Sequence, residues 1–139
     1  MRRRSGFTLI EIMVVICIVG LLSAFAAFKL RGVIAGSKRT TTLGRIQQLS
    51  TTIERYAMDH QGRYPTTAQG LQHLTTEKVP GSSETYLSTE DLKDSWGNPY
   101  AYQIPGKQGN FDVIAYGRDG RPGGTDEDED LTDDMVGGQ

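Results

Sequence analysis

Intrachain disulfides are excluded, because the sequence contains a single cysteine, Cys17, and that residue lies inside an apolar run. A secreted domain of this size without a disulfide often needs another staple, such as a bound metal or neighbouring subunits. The chain also lacks an excess of positive charge, since its formal net charge is −2. General binding to nucleic acid, which requires a basic face, is therefore disfavoured.

The sequence also lacks patterns typical of catalysis. It contains no Gly-x-x-x-x-Gly-Lys-Ser/Thr loop for phosphate, and no nucleophile stands in a recognisable pattern with a base. His60 and His73 are far apart and do not have metal-ligand spacing, so we expect surface or packing roles for them. We therefore predict that the chain is not an enzyme.

Formal charge is absent from residues 12–28, and residues 7–28 are long enough to cross a bilayer as a helix. The cluster Arg2–Arg4 before this run places the N-terminus in the cytoplasm. A signal peptide cut near Ala24–Ala26, or a plain membrane anchor, would explain the apolar run. Neither explains Glu11, because a charged acid at the centre of a membrane helix costs roughly 2.5–3.5 kcal/mol.

The spacing of apolar residues predicts that the helix continues beyond the membrane span as an amphipathic segment over residues 29–61, ending near Gln61–Gly62. Its predicted buried stripe comprises Leu43, Ile46, Leu49, Ile53, Tyr56, Ala57 and His60. We accordingly divide the chain into a leader (1–6), a span (7–28), this continuation (29–61) and a small globular domain (62–139).

The globular domain is predicted to begin with a short helix capped by Thr66 or Thr67. Two strands, 100–104 and 111–116, are joined by the hairpin connection PGKQGN. The expected aromatic core residues are Tyr64, Trp96, Tyr100, Tyr102 and Tyr116. The fold class is therefore α+β, with a long helix followed by a small antiparallel sheet.

An acidic segment follows the second predicted strand. Asp119 comes first, and the unbroken acidic run 126–130 follows the flexible pair Gly123-Gly124. Calcium takes about six to eight oxygen ligands, typically from carboxylates and backbone carbonyls. The spacing is not that of an EF-hand. Composition alone favours a calcium site and a solvated acidic tail equally.

The start of the chain, GFTLIE from Gly6 to Glu11, followed by the apolar run, resembles the class III signal of type IV pilins and pseudopilins. Two later segments, YAMDHQGRYPTTAQGLQHL and DSWGNPYAYQIPGKQGNFDVIAYGRDGRPGG, resemble runs in the major pseudopilin family of type II secretion systems. Together the three segments extend over nearly the whole mature chain. The resemblance implies a type IV pilin-like fold, with a long N-terminal helix, transmembrane in its first half, packed on a small antiparallel sheet.

The resemblance further implies that a prepilin peptidase cuts between Gly6 and Phe7 and methylates the new amino group of Phe7. Loss of the leader removes three arginines, which changes the net charge to −2 − 3 = −5. Glu11 would then be the fifth residue of the product. Because a charge in a low-dielectric environment needs a partner, we expect Glu11 to pair with the Phe7 amine of a neighbouring subunit and set the subunit register.

The implied function is that of a structural subunit of the type II secretion pseudopilus, a filament that drives folded proteins across the outer membrane. Its implied partners are further copies of itself, other pseudopilins, the prepilin peptidase and an inner-membrane assembly platform with its ATPase. The implied location is the bacterial inner membrane, crossed once, with a cytoplasmic N-terminus and a periplasmic C-terminal domain. Two alternatives remain open: a type IV pilin or related filament subunit for adhesion or DNA uptake, or a non-polymerising anchored calcium-binding domain.

The resemblance also implies a calcium ion in the C-terminal loop. The implied ligands are loop oxygens: the side chains of Asp119, Asp128 and Asp130, the backbone carbonyl of Tyr116 and, more weakly, the side chain of Asp126. Asp133 and Asp134 are predicted to lie in a solvated tail.

Overall fold

The computed structural model describes residues 7–107 and 109–136. Within these ranges, residues 28–32 are described by their backbone alone. The predicted leader, including Gly6, lies outside the described residues. The chain divides into two compact units, Met1–Gly36 and Ser37–Gln139. One helix, α1, runs over Leu9–Asp59 and contributes residues to both units.

The N-terminal unit consists of the first part of α1. Its segment Leu9–Ala27 is long and apolar enough to cross a membrane. The large apolar side chains from Phe7 to Phe25 are all at least half exposed. An exposed apolar surface of this extent marks a site of contact with a membrane or another protein.

The C-terminal unit contains the hydrophobic core, and the predicted helical stripe lies within it. Ile46, Leu49, Ile53, Tyr56 and Ala57 are buried, as their spacing predicts. The residues of the rest of the unit that share one buried cluster with the stripe are Leu71, Leu74, Leu87, Tyr100, Phe111, Val113, Ala115 and Leu131. The second half of α1 is therefore one wall of the core, and the sheet and loops form the other.

The predicted aromatic core is confirmed except for one member. Tyr100 is buried in the core, while Tyr64, Trp96 and Tyr102 pack against it and are partly buried. Tyr116 is the exception: it is half-buried, directly follows the second strand of the sheet, and is not among the residues of this core cluster.

The end of α1 agrees with the prediction. After Asp59 the backbone turns through Gln61 and Gly62, which have φ values of 60° and 81°. The Gly62 amide donates to the Ala57 carbonyl over 2.7 Å. This bond joins residues five apart, as in the Schellman ending of a helix, and satisfies a carbonyl that the helix leaves free.

The sheet has three antiparallel strands in the order β1-β2-β3, with β1 at Ala101–Gln103, β2 at Asp112–Ala115 and β3 at Leu131–Thr132. The β1–β2 pairing confirms the predicted hairpin, with Tyr102 opposite Val113. Strand β3 was not predicted, because two residues are too few to show an alternating pattern. Its pairing with β2 brings the chain after the acidic segment back to the sheet.

The short helix predicted near Thr66 and Thr67 begins later than expected. Residues 67–70 form a turn, in which the amides of Gln69 and Gly70 donate to the Thr66 carbonyl. A 3₁₀-helix then spans Leu71–Thr75. Gly70, at φ 60°, directly precedes this 3₁₀-helix, so the predicted threonine cap does not belong to it. Thr66 instead caps the turn before it: the Thr66 amide donates to Gln69 Oε1 at 2.9 Å, and the Gln69 amide donates to Thr66 Oγ1 at 3.3 Å.

Candidate functional site

The first candidate site is the start of α1, where Thr8 and Glu11 bond to each other's backbone. The Thr8 amide lies 3.4 Å from Glu11 Oε2, and the Glu11 amide lies 3.3 Å from Thr8 Oγ1. This reciprocal pair is a capping box, which satisfies two amides that a helix start leaves without partners. The pattern Thr-x-x-Glu at 8–11 is the sequence signature of this box, although the box was not predicted from it.

The capping box gives Glu11 a role within its own chain. The first turn of a helix carries a partial positive charge, so an acid there is favoured electrostatically. Glu11 is nevertheless exposed, and its carboxylate remains accessible to another molecule. Pairing of Glu11 with a neighbouring subunit stays a prediction.

The second candidate site is the acidic loop, defined as residues 116–130 between β2 and β3. Asp119 Oδ1 accepts a hydrogen bond from the Arg121 amide at 3.0 Å. Both oxygens of Asp130 accept from the Gly123 amide, at 3.0 and 2.9 Å. Asp119 and Asp130 therefore accept from backbone amides that are two residues apart in the loop, although the two acids are distant in sequence.

Asp128, the third predicted ligand, faces an arginine. Arg118 Nε lies 3.1 Å from Asp128 Oδ1, and Nη2 lies 3.1 Å from Oδ2, so the guanidinium engages both carboxylate oxygens. Arg118 Nη1 also lies 3.1 Å from Glu127 Oε2. These contacts, led by the hydrogen bond with Asp128, raise the pKa of Arg118. Paired donors of this kind match a carboxylate in geometry as well as charge.

The remaining acids of the run differ in their environment. Glu129 forms an ion pair with Arg39, which ties the loop to α1 within the C-terminal unit. Asp126 is exposed, and its φ of 57° places it in a left-handed turn conformation. Arginines thus pair with Glu127, Asp128 and Glu129, and neither arginine pairs with Asp126 or Asp130.

The loop backbone is tightly folded around two glycines. A Cβ at Gly124 would collide with the Asp128 carbonyl oxygen, and one at Gly117 would lie 2.8 Å from the Glu127 carbonyl oxygen. The Arg118 amide also donates to the Glu127 carbonyl at 2.8 Å. Outside the loop, the Asn98 amide group donates to the Gly117 carbonyl at 2.8 Å. The start and end of the loop are therefore in direct contact.

The donor chemistry of this loop fits a hard cation only in part. Among the residues that the structure describes, no three His, Cys, Asp or Glu side chains converge in an arrangement that could hold a metal ion. Two carboxylates, those of Asp119 and Asp130, bond to amides of the same short segment, 121–123, and calcium also accepts backbone carbonyls. Asp128 fits as a ligand only if it leaves Arg118.

Asp133 does not lie in the predicted solvated tail, whereas Asp134 is exposed as predicted. Asp133 Oδ1 accepts from the Val113 amide at 3.3 Å, and Asp134 accepts from the Thr132 hydroxyl. Burial raises the pKa of Asp133, an effect that its backbone hydrogen bonds oppose. The prediction was wrong for Asp133 because β3, which leads this residue to its contact with Val113 of β2, was not predicted.

The two histidines pack against a common tyrosine. The His60 ring stacks on Tyr56 with a centroid distance of 4.0 Å, and His73 Nε2 lies 3.2 Å from the Tyr56 hydroxyl. Their Nε2 atoms lie 3.6 and 3.8 Å from the carboxylate of Glu77. The packing role expected from the sequence therefore holds, although the two residues meet in space.

An exposed apolar helix that begins at a capped acid, together with an antiparallel sheet packed on its second half, defines a subunit of the type IV pilin-like class. The family model described as "Type II secretion system (T2SS), protein G" matches residues 29–134. The model described as "Prokaryotic N-terminal methylation motif" matches residues 1–27. The chain therefore belongs to the type II secretion system protein G family and is a subunit of the secretion pseudopilus.

Individual relatives agree with this assignment. The type II secretion system core protein G of Pseudomonas aeruginosa is 40% identical over 136 residues, which are 94% of each chain. That of Vibrio cholerae is 37% identical over 128 residues, 89% of this chain and 87% of its own. The crystal structure of the major pseudopilin from enterohaemorrhagic Escherichia coli superposes with a TM-score of 0.59 at 28% identity. It aligns with 74% of this chain and 91% of its own.

These matches choose between the alternatives that the sequence left open. They favour the secretion pseudopilin over an adhesion or uptake pilin and over a non-polymerising domain. The family is a structural one, which agrees with the prediction that the chain is not an enzyme.

Proposed function

We propose that the chain is cut between Gly6 and Phe7, methylated at the new terminus, and added to a filament whose growth drives folded proteins across the outer membrane. The observation that carries this proposal is the exposed apolar run from Phe7 to Phe25, which contains Glu11 near its start. The match of the methylation-motif model to residues 1–27 supports the processing step. The filament contains copies of this chain together with other pseudopilins.

Before assembly, the precursor resides in the inner membrane with its N-terminus in the cytoplasm and its C-terminal unit in the periplasm. The span Leu9–Ala27 supports a single crossing, and the preceding Arg2–Arg4 cluster supports the orientation. In this position the junction between Gly6 and Phe7 faces the prepilin peptidase, and the inner-membrane platform receives the cut subunit.

Transfer from membrane to filament explains why an acid is retained at the helix start. Lipid tails are as apolar as leucine, so the hydrophobic effect contributes little when an apolar helix leaves lipid for a core of similar helices. Packing alone does not select one axial position. The pairing of Glu11 with the Phe7 amine of a neighbour supplies that selection, because an unpaired charge in a low-dielectric core is strongly unfavourable.

A calcium ion in the acidic loop is the second part of the proposal. Asp119 and Asp130 would hold it together with loop carbonyls, including that of Tyr116, and Asp128 would join them after leaving Arg118. Asp126 is the weaker candidate. The ion would neutralise the acids and tie the loop to the end of β2, because calcium accepts both carboxylate and carbonyl oxygens. If calcium binds only the folded unit, millimolar calcium raises the melting temperature.

The assembly proposal is tested with two substitutions at Glu11. Glutamine keeps the oxygen that the Thr8 amide requires but removes the charge, whereas alanine removes both. We expect both Glu11→Gln and Glu11→Ala to be cut normally and to assemble poorly, because both lack the charge that sets the register. The measurements are the mass of the mature chain and the yield of filaments.

Filaments at the wild-type level from Glu11→Gln, with loss only in Glu11→Ala, would show that Glu11 acts through the capping box and would remove the register proposal. Gly6→Ala is the processing control and should accumulate as uncut precursor. A mature-sized product from Gly6→Ala would contradict cleavage after Gly6.

A further inference from the structure

Arg118 lies inside the acidic loop, between Gly117 and the predicted ligand Asp119. Its guanidinium holds both oxygens of Asp128, at 3.1 Å each, and one oxygen of Glu127. The Arg118 side chain is 57% exposed, whereas that of Asp128 is 29% exposed. The loop therefore contains a positive group of its own, the Arg118 guanidinium, and this group occupies the Asp128 carboxylate that the proposed calcium site also needs.

A calcium ion and this guanidinium exclude each other at Asp128. Each Asp128 oxygen already accepts a hydrogen bond from Arg118, and the fork geometry fixes the orientation of the carboxylate. A divalent ion bound to the same oxygens would stand within a few ångströms of a positive charge that does not deprotonate in proteins. One of the two cations must therefore leave for the other to bind.

We propose that Arg118 holds Asp128 in the metal-free loop and releases it when calcium binds, so that Arg118 lowers the calcium affinity of the loop. This inference rests on the proposed calcium site. It gives Arg118 two opposite effects: Arg118 stabilises the loop when calcium is absent and competes with calcium when it is present. A purely structural contact would support the loop in both states.

The same loop offers a matched control. Arg121 lies three residues further on, is exposed, and makes no ion pair among the described residues. Arg121→Gln removes the same charge from the same loop as Arg118→Gln. A difference between the two variants therefore reports the contact with Asp128 and not the general change in electrostatic potential.

The experiment compares the full-length wild type, Arg118→Gln and Arg121→Gln in detergent micelles. Isothermal titration gives the dissociation constant for calcium, and melting is followed in EDTA and in excess calcium. We expect Arg118→Gln to bind calcium several-fold more tightly than Arg121→Gln and to melt below it in EDTA. Its calcium-induced rise in melting temperature should be larger than that of the wild type.

A second comparison shows whether the effect passes through Asp128. In an Asp128→Asn background, Arg118→Gln should leave the calcium affinity unchanged, because the carboxylate for which Arg118 and calcium compete has been removed. If the increase in affinity persists in that background, Arg118 acts by charge at a distance and the competition is overturned.

The two proposals fail in different ways. If the wild type binds calcium and Arg118→Gln binds no more tightly than Arg121→Gln, the competition is wrong while the calcium site stands. If only Arg118→Gln binds calcium, the wild-type calcium role fails and the competition is supported. If neither binds, both proposals are rejected.

Discussion

The two halves of α1 contain the same kinds of apolar residue in opposite environments. Ile16, in the first half, is 61% exposed, whereas Ile53, in the second half, is 0% exposed. The second half places its apolar side chains in one stripe against the sheet and loops of its own chain. The first half is apolar on every side, and its large side chains stay exposed.

This difference separates two uses of apolar surface. A single stripe contributes to the stability of one folded unit, because burying a large apolar side chain is worth about 1.5–3 kcal/mol. A surface that is apolar all round is suited to lipid and then to other helices, so its energetic effect is on insertion and assembly. Substitutions in the two halves should therefore be detected by different measurements.

The largest predicted effect comes from Ile53→Ala, which removes a fully buried side chain from the core. We expect the free energy of unfolding of the C-terminal unit to fall by about 2–5 kcal/mol, because a cavity adds to the lost transfer energy. The matched control, Ile16→Ala, should leave that free energy unchanged. Denaturant titration of full-length protein in micelles, followed by the fluorescence of Trp96, measures both.

Equal destabilisation by Ile16→Ala and Ile53→Ala would contradict the conclusion that only the second half of α1 stabilises the folded C-terminal unit. Reduced filament yield from Ile16→Ala with normal unfolding would sharpen it, because the first half would then act in assembly alone.

A smaller effect is expected in the acidic loop, where order depends on close backbone approach. Gly123 and Gly124 have φ values of 94° and 99°, so alanine is strained at either position. At Gly124 the added Cβ would also collide with the Asp128 carbonyl, whereas at Gly123 it would meet nothing within 4 Å. We expect Gly124→Ala to unfold more easily than Gly123→Ala by about 1–3 kcal/mol, the usual effect of overpacking.

Thermal melting in EDTA measures this difference without the contribution of calcium. Equal melting temperatures for the two alanine variants would mean that the loop moves to accommodate the collision. The acidic loop would then have no fixed backbone conformation, in contrast to the sheet of the C-terminal unit.

Much of the fold could be predicted from local pattern. The burial of Ile46, Leu49 and Ile53 follows from helical spacing, and the β1–β2 hairpin follows from two apolar runs with turn-forming residues between them. These features depend on residues that are close in sequence. The capping box at Thr8 and Glu11 was equally local and was missed, although its four-residue signature is present.

The parts that could not be predicted depend on contacts between distant segments. Arg39 and Glu129 form a pair although ninety residues separate them. Strand β3 is defined by its partners on β2 and not by its own two residues. The distribution of the acids between arginines and backbone amides likewise arises only when both ends of the loop meet.

The smallest predicted effect concerns Asp133, whose carboxylate is half-buried beside Val113. Burial raises the pKa of Asp133, so the folded state binds its proton more tightly than the unfolded state does. Stability that depends on this proton is therefore fully present below the unfolded pKa, near 4, and is lost as the pH rises through the folded value. At neutral pH the ionised side chain destabilises the fold.

Asp133→Asn should accordingly melt slightly higher than the wild type at neutral pH, since asparagine still accepts from the Val113 amide and carries no charge. The advantage should shrink as the pH falls through the raised folded pKa of Asp133 and be gone below about 4, where the carboxyl group is protonated in both the folded and the unfolded wild type. Asp134→Asn, an exposed neighbour with the same change in charge, is the control for long-range repulsion. The measurement is the melting temperature in EDTA across this pH range. An equal rise in melting temperature for both variants at every pH would assign the effect to net charge and not to the burial of Asp133.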